Sequence, residues 1–262
     1  MNTLSVTMIQ SNLHWENKTA NLHQFEEKIA SIQQPAQLVV LPEMFSTGFS
    51  MKPAELAETM DGPSVQWMKR IAAKYKIILT GSLIIEADQQ YYNRLLWVLP
   101  NGTVGVYDKR HRFAFAGEDR FYTAGNKRLI TSVNGWKFNL QICYDLRFPV
   151  WARQQSEDAP EFDVLLYVAN WPERRSHAWK SLLIARAIEN QCYVVGVNRV
   201  GKDGNDIEHS GDSMLVDPLG EVLFTESGRE VISTHLLDKA KLTEVRSRFP
   251  FWKDADHFNI EH

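Results

Sequence analysis

The spacing of apolar and polar residues changes repeatedly along the chain, and the changes predict alternating strands and helices. Leu4 to Gln10 reads as a strand. Asn17 to Gln33, with Leu22, Phe25, Ile29 and Ile32 at helical spacing, reads as an amphipathic helix. Leu38 to Leu41 is a short, wholly apolar strand stopped by Pro42. A second helix is predicted from Ser64 to Tyr75, with Ser64 as its cap behind Gly62-Pro63. Three strands follow, Ile77 to Glu86, Tyr92 to Leu99 and Val104 to Lys109. The Pro100-Asn101-Gly102 turn makes a hairpin of the last two.

The second half repeats the rhythm. Phe138 to Ile142 reads as a strand, Pro149 to Gln155 as a short helix and Val164 to Ala169 as an apolar strand. His177 to Asn190 is then a helix and Tyr193 to Asn198 a strand. Strands at Ser213 to Asp217 and Glu221 to Phe224 flank a Pro218-Leu219-Gly220 turn. A strand near Glu230 to His235 and a helix near Asp238 to Arg246 complete the regular part. Helices set between apolar strands in each half predict an α/β fold, two sheets packed together with helices on their outer faces. No Gly/Ser-rich linker divides the halves, so residues 1–262 are expected to form a single domain.

Composition narrows the class. With 262 residues, 44% hydrophobic and 23% charged, the chain is an ordinary globular sequence long enough to bury a large core. Its 29 Lys and Arg against 32 Asp and Glu give a net charge of −3 without basic blocks, so no nucleic-acid or membrane partner is expected. No apolar run approaches the roughly 20 residues of a membrane span, and Met1 to Gln10 has no signal-peptide pattern. A cytoplasmic protein is expected. Cys143 and Cys192 are too few for a disulfide framework or, by themselves, a zinc site; neither metal nor cofactor is implied.

Cys143 is the most informative position. It follows the strand Phe138 to Ile142 at the carboxyl end, where α/β sheets hold ligands. It is either a nucleophile or a buried packing residue, whereas Cys192 at a helix-to-strand junction reads as packing. A nucleophilic thiol needs a base. His111, His177 and His209 are formally available, but none has a context that separates it from a surface or packing histidine. Glu43 directly follows an all-apolar strand and Pro42; it is either capped by a donor or functional. Lys109 ends its strand beside Arg110 and Arg112, which also suits a solvated basic strand end. All three groups sit at the carboxyl ends of separate strands, and parallel alignment would bring them to one crevice.

These residues carry a resemblance. Leu41-Pro42-Glu43-Met44-Phe45, Tyr107-Asp108-Lys109-Arg110-His111 and Ile142-Cys143-Tyr144-Asp145-Leu146-Arg147-Phe148-Pro149 resemble the three signature blocks of the nitrilase superfamily of carbon–nitrogen hydrolases, in the family's order. Tyr122 to Asn126, Ala185 to Asn190 and Gly211 to Ser213 resemble further family segments, so the likeness spans Leu4 to about Phe249. Phe45 to Ser50, Ala116-Gly117-Glu118 and Ala169-Asn170-Trp171-Pro172 are most similar to the bacterial omega-amidases. One departure is Arg110-His111-Arg112-Phe113 where the family usually has His-Leu after the lysine.

The resemblance implies a four-layer α-β-β-α sandwich of two mixed sheets, and hydrolysis of the terminal amide of 2-oxoglutaramate or 2-oxosuccinamate. Cys143 would be the nucleophile, Glu43 the general base, Lys109 the oxyanion stabiliser and Glu118 an orienting or proton-transfer residue. The backbone N–H of Tyr144 would be a second oxyanion donor. A remote substrate carboxylate needs cations, for which Arg174 and Arg175 are the first candidates and Arg112 and Arg147 the alternatives. Phe113, Phe115 and Trp171 are candidate pocket walls. The helix with Trp179, Leu182, Leu183, Ala187 and Ile188 on one side reads as a core face. The resemblance adds that such helices pair subunits, so a homodimer is expected. Another amidase of the superfamily, acting on N-carbamoyl or aliphatic amides, and a non-catalytic binding protein are the competing readings.

Overall fold

The computed structural model describes residues 2–155 and 158–260. The first half supplies strands β1 (Thr3–Gln10), β2 (Leu38–Val40), β3 (Ile78–Ala87), β4 (Gln90–Val98) and β5 (Val104–Asp108). The second supplies β6 (Ile130–Val133), β7 (Trp136–Ile142), β8 (Val164–Ala169), β9 (Tyr193–Asn198), β10 (Val200–Lys202), β11 (Glu208–Val216), β12 (Val222–Ser227) and β13 (Val231–Asp238). One sheet has the order β13-β1-β2-β3-β4-β5. The other runs β10-β11-β9-β8-β7-β6, with β12 paired to β11. Strands β1, β2 and β3 are mutually parallel, as are β7, β8 and β9. This is the expected α/β architecture, with one rearrangement: β13 leaves the second half and pairs antiparallel with β1 in the first sheet.

The sheets meet face to face. Trp97 of β4 and Phe138 of β7 lie 5.1 Å apart between ring centroids, within a core that also holds Val6, Val40, Leu140 and Leu166. Alternate residues of the same strands, Val39, Leu79 and Leu83, face outward beneath helices α1 (Lys18–Ala30) and α3 (Pro63–Tyr75). Strands β8 and β9 are buried along their whole lengths because they are covered on both faces, which is why they read as unbroken apolar runs. Helix α6 (Ser176–Asn190) covers the second sheet, with Trp179 and Leu183 against Gly196, where a Cβ would lie 2.6 Å from Leu183.

The remaining helices are α2 (Pro53–Leu56), α4 (Glu118–Phe121), α5 (Pro149–Ala152) and α7 (Lys239–Arg248). Several boundaries differ from expectation for local reasons. Gly62, not Ser64, is the cap residue of α3, with Pro63 in the first turn; the Ser64 N–H and Oγ donate to the Glu58 carboxylate at 2.7 and 2.5 Å. Glu58 therefore satisfies the helix start from outside the sequence-local pattern. The helix expected over Pro149 to Gln155 is only one turn, preceded by a 3-10 segment at Cys143–Arg147. On α6, Trp179, Leu183 and Ala187 are buried as expected, but Ile188 is 52% exposed and lies off the core face. Among the described residues no helix is long and apolar enough to cross a membrane.

Candidate active site

The carboxyl ends of β2, β5, β7 and β8 deliver Glu43, Lys109, Cys143 and Asn170 to one place. The β4–β5 register is fixed by Arg94 opposite Asp108, a forked ion pair at 2.6 and 2.9 Å. It continues one step further, where the Lys109 N–H donates to the Asn93 carbonyl at 3.0 Å. Gly125 locks the backbone there: its N–H donates to the Lys109 carbonyl at 2.9 Å, and a Cβ on it would sit 2.0 Å from the Asp108 oxygen. Cys143 itself has φ 43°, the left-handed region disfavoured for a residue with a Cβ.

Asp145 holds that turn. Its buried carboxylate accepts from the Ile142 N–H at 3.0 Å, the Tyr107 hydroxyl at 2.7 Å and the His111 N–H at 2.9 Å. His111 Nδ1 lies 2.8 Å from the same carboxylate, and the imidazole stacks on Phe148 at 3.8 Å. His111 is thus committed to the turn. His177 is exposed, and His209 Nδ1 faces the carbonyls of Gly201 and Ile207 at 3.2 and 3.0 Å. Of the three candidate histidines none partners Cys143; the charged groups acting most on the thiol are Glu43 and Lys109.

The charges around the thiol form a closed network. Lys109 Nζ donates to Glu43 at 2.8 Å and to both oxygens of Glu118 at 3.0 and 2.9 Å. All three side chains are at most 1% exposed. The second oxygen of Glu43 accepts the Asn170 N–H at 2.8 Å, and the Asn170 amide donates to the Glu43 carbonyl at 2.5 Å. Glu118 also accepts the Phe113 N–H at 2.5 Å. Burial opposes the charge on Lys109, yet Glu118 and Glu43 together hold its pKa above that of an ordinary lysine. Burial raises Glu118, with Lys109 pulling the other way. Burial and then Glu43 keep the Cys143 thiol well above its usual range, opposed by Lys109. The resting sulfur is consequently a neutral thiol beside a carboxylate acceptor. That arrangement can transfer the thiol proton as the sulfur bonds to carbon.

Cys143 opens into a cleft whose walls include six of the expected pocket residues: Phe113, Phe115, Tyr144, Trp171, Arg174 and Arg175. Arg147 lines it too, its guanidinium 5.0 Å from the Trp171 ring, while Arg175 lies 5.0 Å from the Phe113 ring. None of Arg147, Arg174 and Arg175 has an ion-pair partner among the described residues. Burial and then Arg174 lower the Arg175 pKa, the mark of a cation crowded by cations. Arg112 does not join them: it donates to the carbonyls of Tyr122 and Asp119 at 3.0 and 3.4 Å. Asp203, Ile207 and His209 complete the far wall. Among the described residues no group of three or more His, Cys, Asp or Glu is placed to hold a metal ion.

Asn93, Asn170 and Asp145 were not assigned roles from sequence. Asn170 and Asp145 stand inside quoted motifs, but nothing local separates them from neighbouring polar residues. Asn93 stands beside Arg94 in a strand of mixed polarity, and only its burial marks it.

The carbon-nitrogen hydrolase family profile matches residues 5–247. Omega-amidase YafV of Escherichia coli K12 is 43% identical over 258 residues, covering 98% of both chains. A 2-oxoglutaramate amidase of Bacillus subtilis is 34% identical over 95% of this chain and 96% of its own. The crystal structure of XC1258 from Xanthomonas campestris, a CN-hydrolase superfamily protein with an arsenic adduct in its active site, superposes with a TM-score of 0.97. It is 41% identical and covers 100% of both chains.

Proposed function

The chain belongs to the carbon–nitrogen hydrolase family, and from that membership we propose that it is an omega-amidase acting on 2-oxoglutaramate or 2-oxosuccinamate. Its products are the 2-oxo dicarboxylate and ammonia. One observation carries the substrate class: a thiol, a carboxylate and an ammonium meet at the base of a cleft whose wall bears three arginines without carboxylate partners among the described residues. Cys143 and its neighbours take the amide end, and Arg174, Arg175 and Arg147 receive the remote carboxylate.

Glu43 accepts the Cys143 proton as the sulfur attacks the amide carbon. The oxygen of the tetrahedral intermediate gains charge facing the Lys109 ammonium, with the Tyr144 N–H as the second donor. Glu43 returns its proton to the departing nitrogen, leaving ammonia and a thioester on Cys143. It then takes a proton from water, whose oxygen attacks the thioester; collapse releases the acid and restores the thiol. Glu118 anchors Lys109 and ties it to the Phe113 segment, so that the cation keeps its place through both half-reactions. No step requires a metal or cofactor.

We also propose a cytoplasmic enzyme, in keeping with two free thiols, that pairs with a second copy across the exposed Ile188 side of α6. Ammonia release tests the activity. Purified protein is expected to hydrolyse 2-oxoglutaramate and to be far poorer on butyramide, which lacks the remote carboxylate. Equal turnover of the two would remove the arginines from the substrate assignment.

A further inference from the structure

Asn93 occupies an unusual place in the charge network. Its Nδ2 donates to Glu43 Oε1 at 2.7 Å and to Glu118 Oε1 at 3.3 Å, the same two oxygens that Lys109 Nζ approaches at 2.8 and 3.0 Å. Asn93 and Lys109 therefore bridge one pair of carboxylates from two sides. They stand opposite each other on neighbouring antiparallel strands, so their side chains share a face. The other end of the amide is costly: Asn93 Oδ1 is buried without a hydrogen-bond partner among the described residues. Only the donor end of this side chain is used, and both of its hydrogens point at carboxylates.

We propose that Asn93 is a positioning residue for the hydrolysis, acting through Glu43 and Glu118 by keeping both carboxylates ionised at their working spacing. Two buried carboxylates sharing one ammonium repel, which favours a proton on Glu118, the carboxylate that burial already raises. A proton on Glu43 removes the acceptor for the Cys143 thiol; one on Glu118 weakens the hold on Lys109. A neutral donor that reaches both oxygens opposes either event without cancelling the ammonium that the oxyanion needs.

The remaining titratable groups around the pair do not compete on the acid side. Lys109 is held above its ordinary range by the carboxylates, after burial has opposed its charge. Cys143 is raised by burial and Glu43. Tyr122 is raised by burial and Glu118, and its hydroxyl donates to the Ser50 carbonyl at 2.6 Å. The acid limb of activity is thus assigned to Glu118, which burial raises and Lys109 opposes, and Asn93 sets where it falls.

The inference rests on the reading of Glu43 as the base, and two readouts keep the claims apart. Asn93→Leu removes the donor at similar volume, and Asn93→Ser keeps a single, shorter one. The pH dependence of kcat/KM for ammonia release from 2-oxoglutaramate is measured beside that of Cys143 alkylation by iodoacetamide, which needs no amide substrate. In Asn93→Leu both acid limbs are expected to move upward by about one pH unit, the order of a hydrogen bond to a charged group. Asn93→Ser should shift less. Limbs that coincide with the wild type while the plateau falls uniformly would overturn the proposal. If Asn93→Leu does not fold, Asn93→Ser decides the same comparison. A wild type that releases no ammonia but whose alkylation limb still moves on substitution would remove the omega-amidase reading and leave the positioning role standing.

Discussion

Replacing Lys109 with methionine isolates the electrostatic logic of the site. The side chain is similar in length, so packing changes little, but Glu43 and Glu118, both fully buried, lose the ammonium they share. Breaking a buried ion pair by removing one partner costs roughly 3–5 kcal/mol. The molecule can escape that cost by binding a proton, so the cost depends on pH. A carboxyl whose folded pKa rises above its unfolded value of about 4.3 leaves stability intact below that value. Stability is then lost as pH climbs toward the raised pKa. At about 1.36 kcal/mol per pH unit, a loss of 3 kcal/mol is complete near pH 6.5 and one of 5 kcal/mol near pH 8. For a chain of this size the loss corresponds to a Tm lower by roughly 6–20 °C. Calorimetry of Lys109→Met and wild type at pH 5 and pH 8 should show a small difference at pH 5 and the full one at pH 8, with ammonia release abolished at both. An equal difference at the two pH values would refute the reasoning, because the loss would then come from packing.

Three further expectations follow from other parts of the site. Arg175→Gln should raise KM for 2-oxoglutaramate by about 10- to 100-fold, the worth of a charged hydrogen bond, and change kcat little; steady-state kinetics checks it. Burial and then Arg199 push the His209 pKa down to about 4, so the unfolded chain takes up a proton near pH 6.5 that the folded one refuses. Stability is then lost as pH falls from 6.5 toward 4, by about 3 kcal/mol in total, and denaturation of His209→Gln should show a flatter profile over that window. Gly125→Ala forces a Cβ into the Asp108 carbonyl and should displace Lys109, lowering kcat at least tenfold while alkylation shows Cys143 still reactive.

The sandwich was legible because apolar alternation and the two turn motifs report local geometry. Its sheet membership was less so: β13 crosses to β1, a pairing between residues more than 220 positions apart that no local period encodes. Short strands such as β6 and β10 escaped because three or four residues, partly exposed, carry no clear alternation. At the site, Glu43, Lys109 and Cys143 stood out as reactive groups at strand ends. Their supports did not. Asp145, Asn93 and Asn170 are common polar residues whose importance comes from burial and long-range partners. Arg112 illustrates the reverse case: its position in sequence beside Lys109 suggested a pocket cation, yet it is occupied in binding the carbonyls of its own loop.

The central claim is that Cys143 forms the acyl intermediate on an omega-amide. Its most direct test is mass spectrometry of the protein acid-quenched during turnover of 2-oxoglutaramate. The account predicts an oxo-acyl thioester on the peptide containing Cys143 in the wild type and none in Cys143→Ala, which should also release no ammonia. Undiminished ammonia release from Cys143→Ala, with no adduct in either protein, would contradict it.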